Sequence, residues 1–207
     1  MAQHYFSERP ATPSARRAIT VRLAGSEHTL ATDRGVFAYG HLDPGTEFLL
    51  DRAPAPPARG ALLDLGCGYG VIAYRLALSS PGAVVWAVDV NERALELARE
   101  NCSALPNARI APPGEVPQGL RFAAIYSNPP VRVGKAALHS LLAEWLGRLE
   151  ADGFACLVVQ RHLGADSLHA WLSGEGWSVE RLGSRRGYRL LRVRARVQPT
   201  THQVPTH

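Results

Sequence analysis

The stretch that decides the fold is residues 61–70, Ala-Leu-Leu-Asp-Leu-Gly-Cys-Gly-Tyr-Gly. It joins a short apolar run, Ala61–Leu65, to three glycines at alternate positions, and a helical pattern follows at Val71–Leu78. Glycine permits a positive φ and leaves the backbone open to close approach by a ligand. An apolar strand that turns through glycines into a helix is typical of the first unit of an open α/β sheet. The stretch therefore predicts a strand, a ligand-binding loop and a helix.

Strands and helices alternate after this unit, with short links between them. The predicted strands are Ala83–Val88, Phe122–Tyr126, Phe154–Gln160, 177–182 and 188–195, and the predicted helices are Glu92–Asn101, Ala136–Leu149 and Ser167–Ser173. Such alternation indicates a mostly parallel sheet with helices on both faces, that is, a doubly wound α/β fold. The last two strands have no helix between them, so we expect an antiparallel C-terminal hairpin. The pattern yields no strand between residues 102 and 121.

The segment before the glycine loop has a different pattern. Residues 18–32 alternate like a β-hairpin with a turn at Gly25–Glu27, and Asp43-Pro44 resembles a helix start. Residues 53–59 are rich in proline. We therefore expect an N-terminal arm, hairpin and helix over 1–60 that pack on a core over 61–197. A disordered tail is predicted over 198–207.

Composition limits the classes of protein to consider. The 207 residues suit a single domain. The three cysteines are far apart and predict neither a zinc site nor a disulfide framework, and we expect no bound metal. No signal peptide is recognisable and no apolar run approaches the ~20 residues of a membrane span, so we expect a cytoplasmic protein. The net charge of +5 favours a polyanionic partner.

The glycine loop also indicates the kind of ligand. Asp89 follows the next strand about 20 residues on, where a carboxylate can bind both ribose hydroxyls of a nucleoside. The spacing is G-x-G-x-G rather than the dinucleotide G-x-G-x-x-G, and Asp64 precedes the turn. S-adenosylmethionine (SAM) carries two cationic groups and no phosphate, so it tolerates this acid better than a diphosphate does. We expect SAM; NAD and a ligand-free turn are the alternatives.

A second polar motif, Ser127-Asn128-Pro129-Pro130, follows the strand Phe122–Tyr126. Ligands bind at the carboxyl ends of such strands, so the motif should face the same crevice as the glycine loop. The Asn128 side-chain oxygen and the carbonyl of Pro129 or Ser127 can each accept one N–H of a planar-attached amine. Two acceptors would hold its nitrogen for attack on a methyl group. A strand-ending turn without function is the alternative.

Several segments together carry a resemblance to a known family. They are His4–Ser7, Asp33–Phe37, Asp64–Gly70, Asp89–Ala94 and Ser127–Lys135. The chain resembles the methyltransferase small-domain family, which includes 16S ribosomal RNA guanine-N2 methyltransferases. The expected cofactor-binding residues are Asp64, Gly66, Cys67, Gly68, Gly70, Asp89, Val90 and Asn128. The expected catalytic residues are Asn128, Pro129 and Pro130.

The sequence departs from relatives at two points. Ala111–Gly114, with Glu115 just beyond, stands where relatives usually place a polar residue beside the adenine. Val131 stands where adenine-N6 and glutamine methylases usually have an aromatic side chain, which argues against those two activities. Larger members of the family carry two tandem copies of the domain, and this chain resembles the short subgroup with one.

Basic residues suggest how a substrate would be held. Arginines crowd the C-terminal strands, and Arg185-Arg186-Gly187 resembles an exposed turn. We expect Phe37, Val131, Lys135, Arg185 and Arg186 to contact RNA, with a solvated arginine-rich edge as the alternative. The predicted function is methylation of an exocyclic amine of RNA, most specifically guanine N2 of small-subunit rRNA or the 30S subunit. The alternatives are a methyltransferase for a protein amide or small-molecule amine, and a degenerate module that only binds RNA.

Overall fold

The computed structural model describes residues 12–195, apart from the side chain of Arg132. The segment His4–Ser7, which contributes to the family resemblance, and the predicted tail over 198–207 lie outside this range. The strands are β1 (Arg17–Leu23), β2 (Ser26–Thr32), β3 (Gly60–Leu65), β4 (Ala83–Val88), β5 (Ala108–Ala111), β6 (Phe122–Ser127), β7 (Leu149–Gln160), β8 (Ser178–Arg185) and β9 (Tyr188–Arg194). The helices are α1 (Pro44–Arg52), α2 (Val71–Ser79), α3 (Glu92–Asn101), α4 (Lys135–Leu146) and α5 (Ala165–Gly174).

Seven of the strands form one sheet in the order β5-β4-β3-β6-β7-β9-β8. The first five in this order are parallel, and β9 runs antiparallel to both β7 and β8. The strands β1 and β2 form a separate antiparallel pair. The predicted fold class is confirmed: a doubly wound, mostly parallel sheet with a C-terminal antiparallel hairpin and an N-terminal hairpin.

Each face of the sheet carries its own apolar core. On one face Leu62 belongs to a buried cluster that also includes the N-terminal hairpin, α1, α2 and α3. On the other face Leu63, the next residue along β3, belongs to a cluster with α4 and α5, where Phe122 packs near Trp145. Successive side chains of a strand point to opposite faces, so β3, which is buried on both sides, is almost entirely apolar apart from Asp64. No helix in the described part of the chain is long and apolar enough to cross a membrane.

Element boundaries differ from the predictions at several places. The strand β5 was not predicted; it has four residues, lies at the sheet edge and is only partly buried, so its apolar pattern is weak. Helix α4 ends at Leu146 rather than Leu149, because Leu149 already pairs with Phe122 as the start of β7. The N-terminal hairpin turns at residues 24–25, one residue earlier than predicted.

The turn predicted at Arg185–Gly187 is also shorter than expected. Arg185 is the last residue of β8 and pairs with Tyr188 of β9, so the turn consists of Arg186 and Gly187. Both turn residues have a positive φ, which suits a two-residue hairpin connection.

Candidate functional site

A cavity of about 560 Å³ opens at the carboxyl ends of the parallel strands. It lies where the strand order reverses, between β3 and β6, which is the usual ligand site of an open α/β sheet. Eight of the predicted site residues line it: Phe37, Gly66, Gly68, Asp89, Val90, Asn128, Pro130 and Val131. The structure therefore brings the two motifs and the loop that carries Phe37 to one crevice.

Asp89 forms the polar part of the cavity wall beyond β4. Its two carboxylate oxygens accept hydrogen bonds from the backbone N–H groups of Gly68 and Asn91, each at 2.9 Å. Burial raises the pKa of Asp89, while these backbone donors act in the opposite direction. Gly66 has a φ of +73°, and a Cβ there would lie 3.9 Å from Pro130, so the glycine loop and the Asn-Pro-Pro motif are immediate neighbours.

Three predicted cofactor residues lie behind the cavity wall rather than on it. Asp64 is completely buried, and one carboxylate oxygen accepts the Ala73 N–H at 2.8 Å. Its other oxygen has no hydrogen-bond partner within the described range. Burial raises the pKa of Asp64 to about 8, and the charge of Asp89 adds to the effect. The Cys67 side chain is buried in the core.

Gly70 has a packing role between α2 and α3. It caps α2 with a φ of +86°, and a Cβ there would lie 3.0 Å from the Ala98 Cβ of α3. That distance is tighter than nearly all Cβ contacts, and the positive φ would strain any side chain, so the third glycine permits close helix packing. Direct contact of Asp64, Cys67 and Gly70 with a cofactor stays a prediction.

Asn128 stands at the end of β6, which is fixed to β3 by a buried hydrogen bond of 2.6 Å from the Ser127 hydroxyl to the Leu65 carbonyl. The Asn128 side-chain nitrogen donates to a carboxylate oxygen of Asp43 at 2.9 Å and to the Thr46 hydroxyl at 3.0 Å. Both amide hydrogens are thereby used, and Asn128 lines the cavity. Its side-chain oxygen is the group that remains to accept a hydrogen bond.

The remaining predicted site residues lie outside the cavity wall. Pro129 is buried, and its carbonyl accepts the Val131 N–H at 2.8 Å. Lys135 is exposed on the first turn of α4. Arg185 pairs with Asp51 of α1 at 2.8 Å. None of these residues, nor Arg186, lines the cavity.

The loop at the cavity mouth, residues 33–42, is anchored to the start of α3. The Asn91 side chain donates to the Gly35 carbonyl at 2.9 Å, and Arg93 donates to the Arg34 carbonyl at 2.7 Å. Arg93 also lies 3.8 Å from the Asp33 carboxylate. Residues 91 and 93, in a segment that carried the family resemblance, thus position the loop that carries Phe37.

Sequence reasoning missed several polar or aromatic residues of the cavity wall, among them Tyr39, His41, Asp43 and Gln160. Asp43 was predicted only as a helix N-cap, and that role is confirmed because it accepts the Thr46 N–H at 2.8 Å. Its second contact is with Asn128, 85 residues further on. A contact at such a separation leaves no local pattern, so only the fold reveals it.

The cavity fits SAM. Asp89 offers a carboxylate for vicinal hydroxyls, Val90 and Pro113 give an apolar wall nearby, and the glycine loop leaves backbone exposed between them. The buried Asp64 carboxyl lies behind the loop with one oxygen unpartnered, and a cationic ligand nearby would favour its ionised form. Of the stretch Pro112–Gly114, Pro113 lines the cavity, where it gives an apolar surface rather than a polar side chain.

The amino-acid sequence of the chain is similar to those of known proteins. Residues 27–192 match the methyltransferase small domain. The Bacillus subtilis (strain 168) protein known as uncharacterized protein YbxB is 33% identical over 199 residues, which are 94% of this chain and 99% of that protein. Ribosomal RNA small subunit methyltransferase C of Shewanella sp. (strain MR-4) is 34% identical over 153 residues, 67% of this chain and 44% of that protein.

A solved structure gives the same result for the fold. The T. thermophilus 16S rRNA N2 G1207 methyltransferase, in complex with AdoMet and guanosine, superposes with a TM-score of 0.72 at 26% identity. The superposition covers 90% of this chain and 52% of that one. The chain therefore spans about half the length of the rRNA methyltransferases that it matches.

Proposed function

Since the chain belongs to the methyltransferase small-domain family and is a SAM-dependent methyltransferase, we propose that it methylates an exocyclic amine of RNA. The specific target we propose is guanine N2 of small-subunit rRNA. The observation that carries the proposal is the orientation of Asn128, whose amide hydrogens are bonded to α1 and whose side-chain oxygen remains for a substrate N–H.

The chemistry that this oxygen serves is positioning. When bound, SAM supplies a methyl group on a positively charged sulfur. A base amine is a weak nucleophile because its lone pair is delocalised into the ring. Asn128, which lines the cavity, would accept one N–H of that amine, and the neighbouring backbone carbonyl of Pro129 or Ser127 would accept the other. Two acceptors hold the nitrogen in one orientation before transfer.

Support for guanine in rRNA comes from the relatives. Two of the proteins that the chain matches are named as methyltransferases of small-subunit rRNA, and the T. thermophilus enzyme, which acts at N2 of a guanine, was solved with guanosine bound. Val131 lines the cavity directly after the prolines and offers no aromatic surface there. This arrangement disfavours the adenine and glutamine substrates of enzymes that use such a surface.

The cavity mouth supports an RNA partner better than the C-terminal arginines do. The guanidinium carbons of Arg17 and Arg34 lie 5.2 and 5.8 Å from the centre of the Tyr39 ring, and Phe37, which lines the same cavity as Tyr39, is 44% exposed. Over residues 12–195 no carboxylate lies within 4.0 Å of either arginine. We call Arg17, Arg34, Phe37 and Tyr39 the rim patch. Free cations beside aromatic rings suit phosphates and unstacked bases.

The C-terminal arginines are largely engaged with acids of the chain itself. Arg185 contacts Asp51 and Glu47, and Arg186 also lies 3.8 Å from Glu47. Two further pairs are Arg189 with Asp166 and Arg192 with Glu180. These ion pairs link β8 and β9 to α1, to α5 and to each other. The proposed contact of Arg185 and Arg186 with RNA would therefore require these ion pairs to be shared or broken.

The test is transfer of tritiated methyl groups from SAM to undermethylated 30S subunits, free rRNA and total protein. We expect label in RNA, recovered after nuclease digestion as N2-methylguanosine. Asn128→Ala should lower kcat by roughly 100-fold or more, since it removes a hydrogen-bond acceptor that acts at the reacting nitrogen. Gln118→Ala, which removes an exposed amide outside the cavity, is the matched control.

Two outcomes would reject the proposal. Label confined to protein would make the chain a protein methyltransferase. Label in RNA at a position other than an exocyclic amine would remove the chemical role that we give to Asn128.

A further inference from the structure

Asn128 is held by α1, an element that precedes the glycine loop in the chain. The acceptors of its two amide hydrogens are Asp43, the N-cap of α1, and Thr46 in the first turn. Asp43 is 7% exposed and Thr46 is 5% exposed. Hydrogen bonds shielded from water in this way are strong, and leaving one unmade is costly.

The chemistry of Asp43 fixes which way the amide faces. An ionised carboxylate can only accept hydrogen bonds, so the Asn128 amino group has to face it. The reversed amide would place the Asn128 oxygen against the carboxylate at about the 2.9 Å now spanned by a hydrogen bond. Two acceptors at that distance repel each other. The Asn128 oxygen is thereby directed away from α1.

The strand β9 supports the same arrangement from a third direction. The Tyr188 hydroxyl lies 3.4 Å from the second oxygen of Asp43. A Cβ on Gly45 would lie 2.5 Å from the Tyr188 ring, so this ring packs directly on the first turn of α1. Asp43 is therefore fixed by its own helix and approached by β9 while it holds the end of β6.

We infer that Asp43 and Thr46 are positioning residues for methyl transfer, which act by holding the Asn128 amide with its oxygen toward the substrate amine. This inference rests on the proposed function, because it assigns the Asn128 oxygen to the target N–H. It makes α1 part of the active site, although α1 lies outside the predicted core over 61–197.

Thr46→Val is the cleanest variant, because Asp43 also caps α1 and its loss would weaken the helix. Valine keeps the shape of threonine and removes the acceptor. We expect kcat to fall roughly three- to tenfold, the cost of one hydrogen bond, with the Kd for SAM unchanged. Thr46→Ser keeps the hydroxyl and should restore kcat. Thr20→Val, at an exposed position of β1, is the matched control.

A second measurement needs no substrate. The side-chain amide of Asn128 gives two proton resonances in a ¹⁵N–¹H correlation spectrum, which can be assigned by their loss in Asn128→Ala. Thr46→Val should shift the proton bonded to Thr46 upfield and leave the proton bonded to Asp43 nearly in place. Thr46→Ser and Thr20→Val should leave both in place.

The outcomes separate this inference from the proposed function. If both resonances stay in place in Thr46→Val, the hydrogen bond is absent and the inference is overturned. If the resonance of the proton bonded to Thr46 moves but Thr46→Val keeps the kcat of the wild-type enzyme, the contact is structural only. The positioning role is then overturned as well. A wild-type protein that transfers no methyl group to RNA would overturn the proposed function, and the resonances alone would then decide whether the contact exists.

Discussion

Two polar side chains at the ends of the strands that flank β3 have different expected roles. Asp89 faces the side of the cavity beside the glycine loop, and Asn128 faces the side beside α1. Asp89→Ala should weaken SAM binding roughly 10- to 100-fold, because it removes a charged acceptor of two hydrogen bonds. Asn128→Ala should leave the Kd for SAM nearly unchanged while it lowers kcat. Titration calorimetry with SAM measures both.

An equal loss of SAM affinity in the two variants would contradict this division. Asn128 would then mainly bind the cofactor, and its assignment to the target amine would have to be abandoned. Unchanged affinity in Asp89→Ala would remove Asp89 from the cofactor site.

Asp64 should make the stability of the protein depend on pH. Its carboxyl is completely buried, and its pKa is raised from 3.8 to about 8. The folded chain then holds this proton at pH values where the unfolded chain has lost it. The free energy of unfolding should therefore fall as pH rises from about 4 to about 8, by at most ~1.4 kcal/mol per pH unit from this group.

Asp64→Asn removes this contribution. Urea unfolding without SAM at several pH values should show that the difference in stability, wild type minus variant, declines between about pH 4 and 8 and is level above. Burial of Asp89 contributes in the same direction in both proteins, so the variant keeps part of the slope. Asp152→Asn removes an exposed carboxylate and controls for net charge. A difference that is constant with pH would mean that Asp64 is ionised throughout.

Among the elements, α1 shows what the sequence could and could not predict. Its start is encoded locally, by Asp43 as N-cap and Pro44 in the first turn, and both are visible in the sequence. The parallel strands other than β5 are equally predictable, since each is an apolar run with a helix after it. The contact of α1 with Asn128 depends on how distant elements pack, and β5 depends on a single neighbouring strand. Neither produces a periodic pattern within its own segment.

The packing of α1 against β9 gives a prediction for Gly45. Alanine at this buried position would place its Cβ 2.5 Å from the Tyr188 ring and 2.9 Å from the Asp43 carboxylate. The helix or the ring has to move, and we expect a loss of about 1–3 kcal/mol in the free energy of unfolding, as in other overpacked cores. Because Asp43 moves with α1, kcat should fall as well. Urea unfolding and methyl transfer to RNA measure the two effects.

Gly174→Ala is the control for this substitution. Gly174 also lies in a helix, but a Cβ there has no neighbour within 4 Å, so alanine should be neutral or slightly stabilising. If Gly45→Ala were as stable and as active as Gly174→Ala, α1 would not be held against β9 in the way described.

For the whole molecule, net charge predicted a polyanionic partner without showing where it binds. Many of the arginines lie close together near the C-terminal end of the sequence, and for this reason Arg185 and Arg186 were predicted to bind RNA. The fold then pairs these arginines with acids of α1, and others with acids of α5 and β8. The rim patch brings Arg17 and Arg34 together from separate segments. Arginines that pair with acids of the same chain are less available to a partner. The position of a binding surface can therefore be inferred from charged residues only when their ion pairs within the fold are known.

This difference can be measured as the salt dependence of RNA binding. A protein that contacts phosphates binds more weakly as salt rises, with a slope of the log–log plot near 0.7–0.9 for each contact. With a fluorescein-labelled RNA hairpin, Arg17→Gln/Arg34→Gln should lower this slope by roughly 1–2, because both guanidinium groups lie free at the cavity mouth. Arg185→Gln/Arg186→Gln is the matched double variant and should change the slope much less, since those cations already face carboxylates. The reverse order of the two effects would place the RNA on the C-terminal strands and would remove the rim patch from the proposed binding surface.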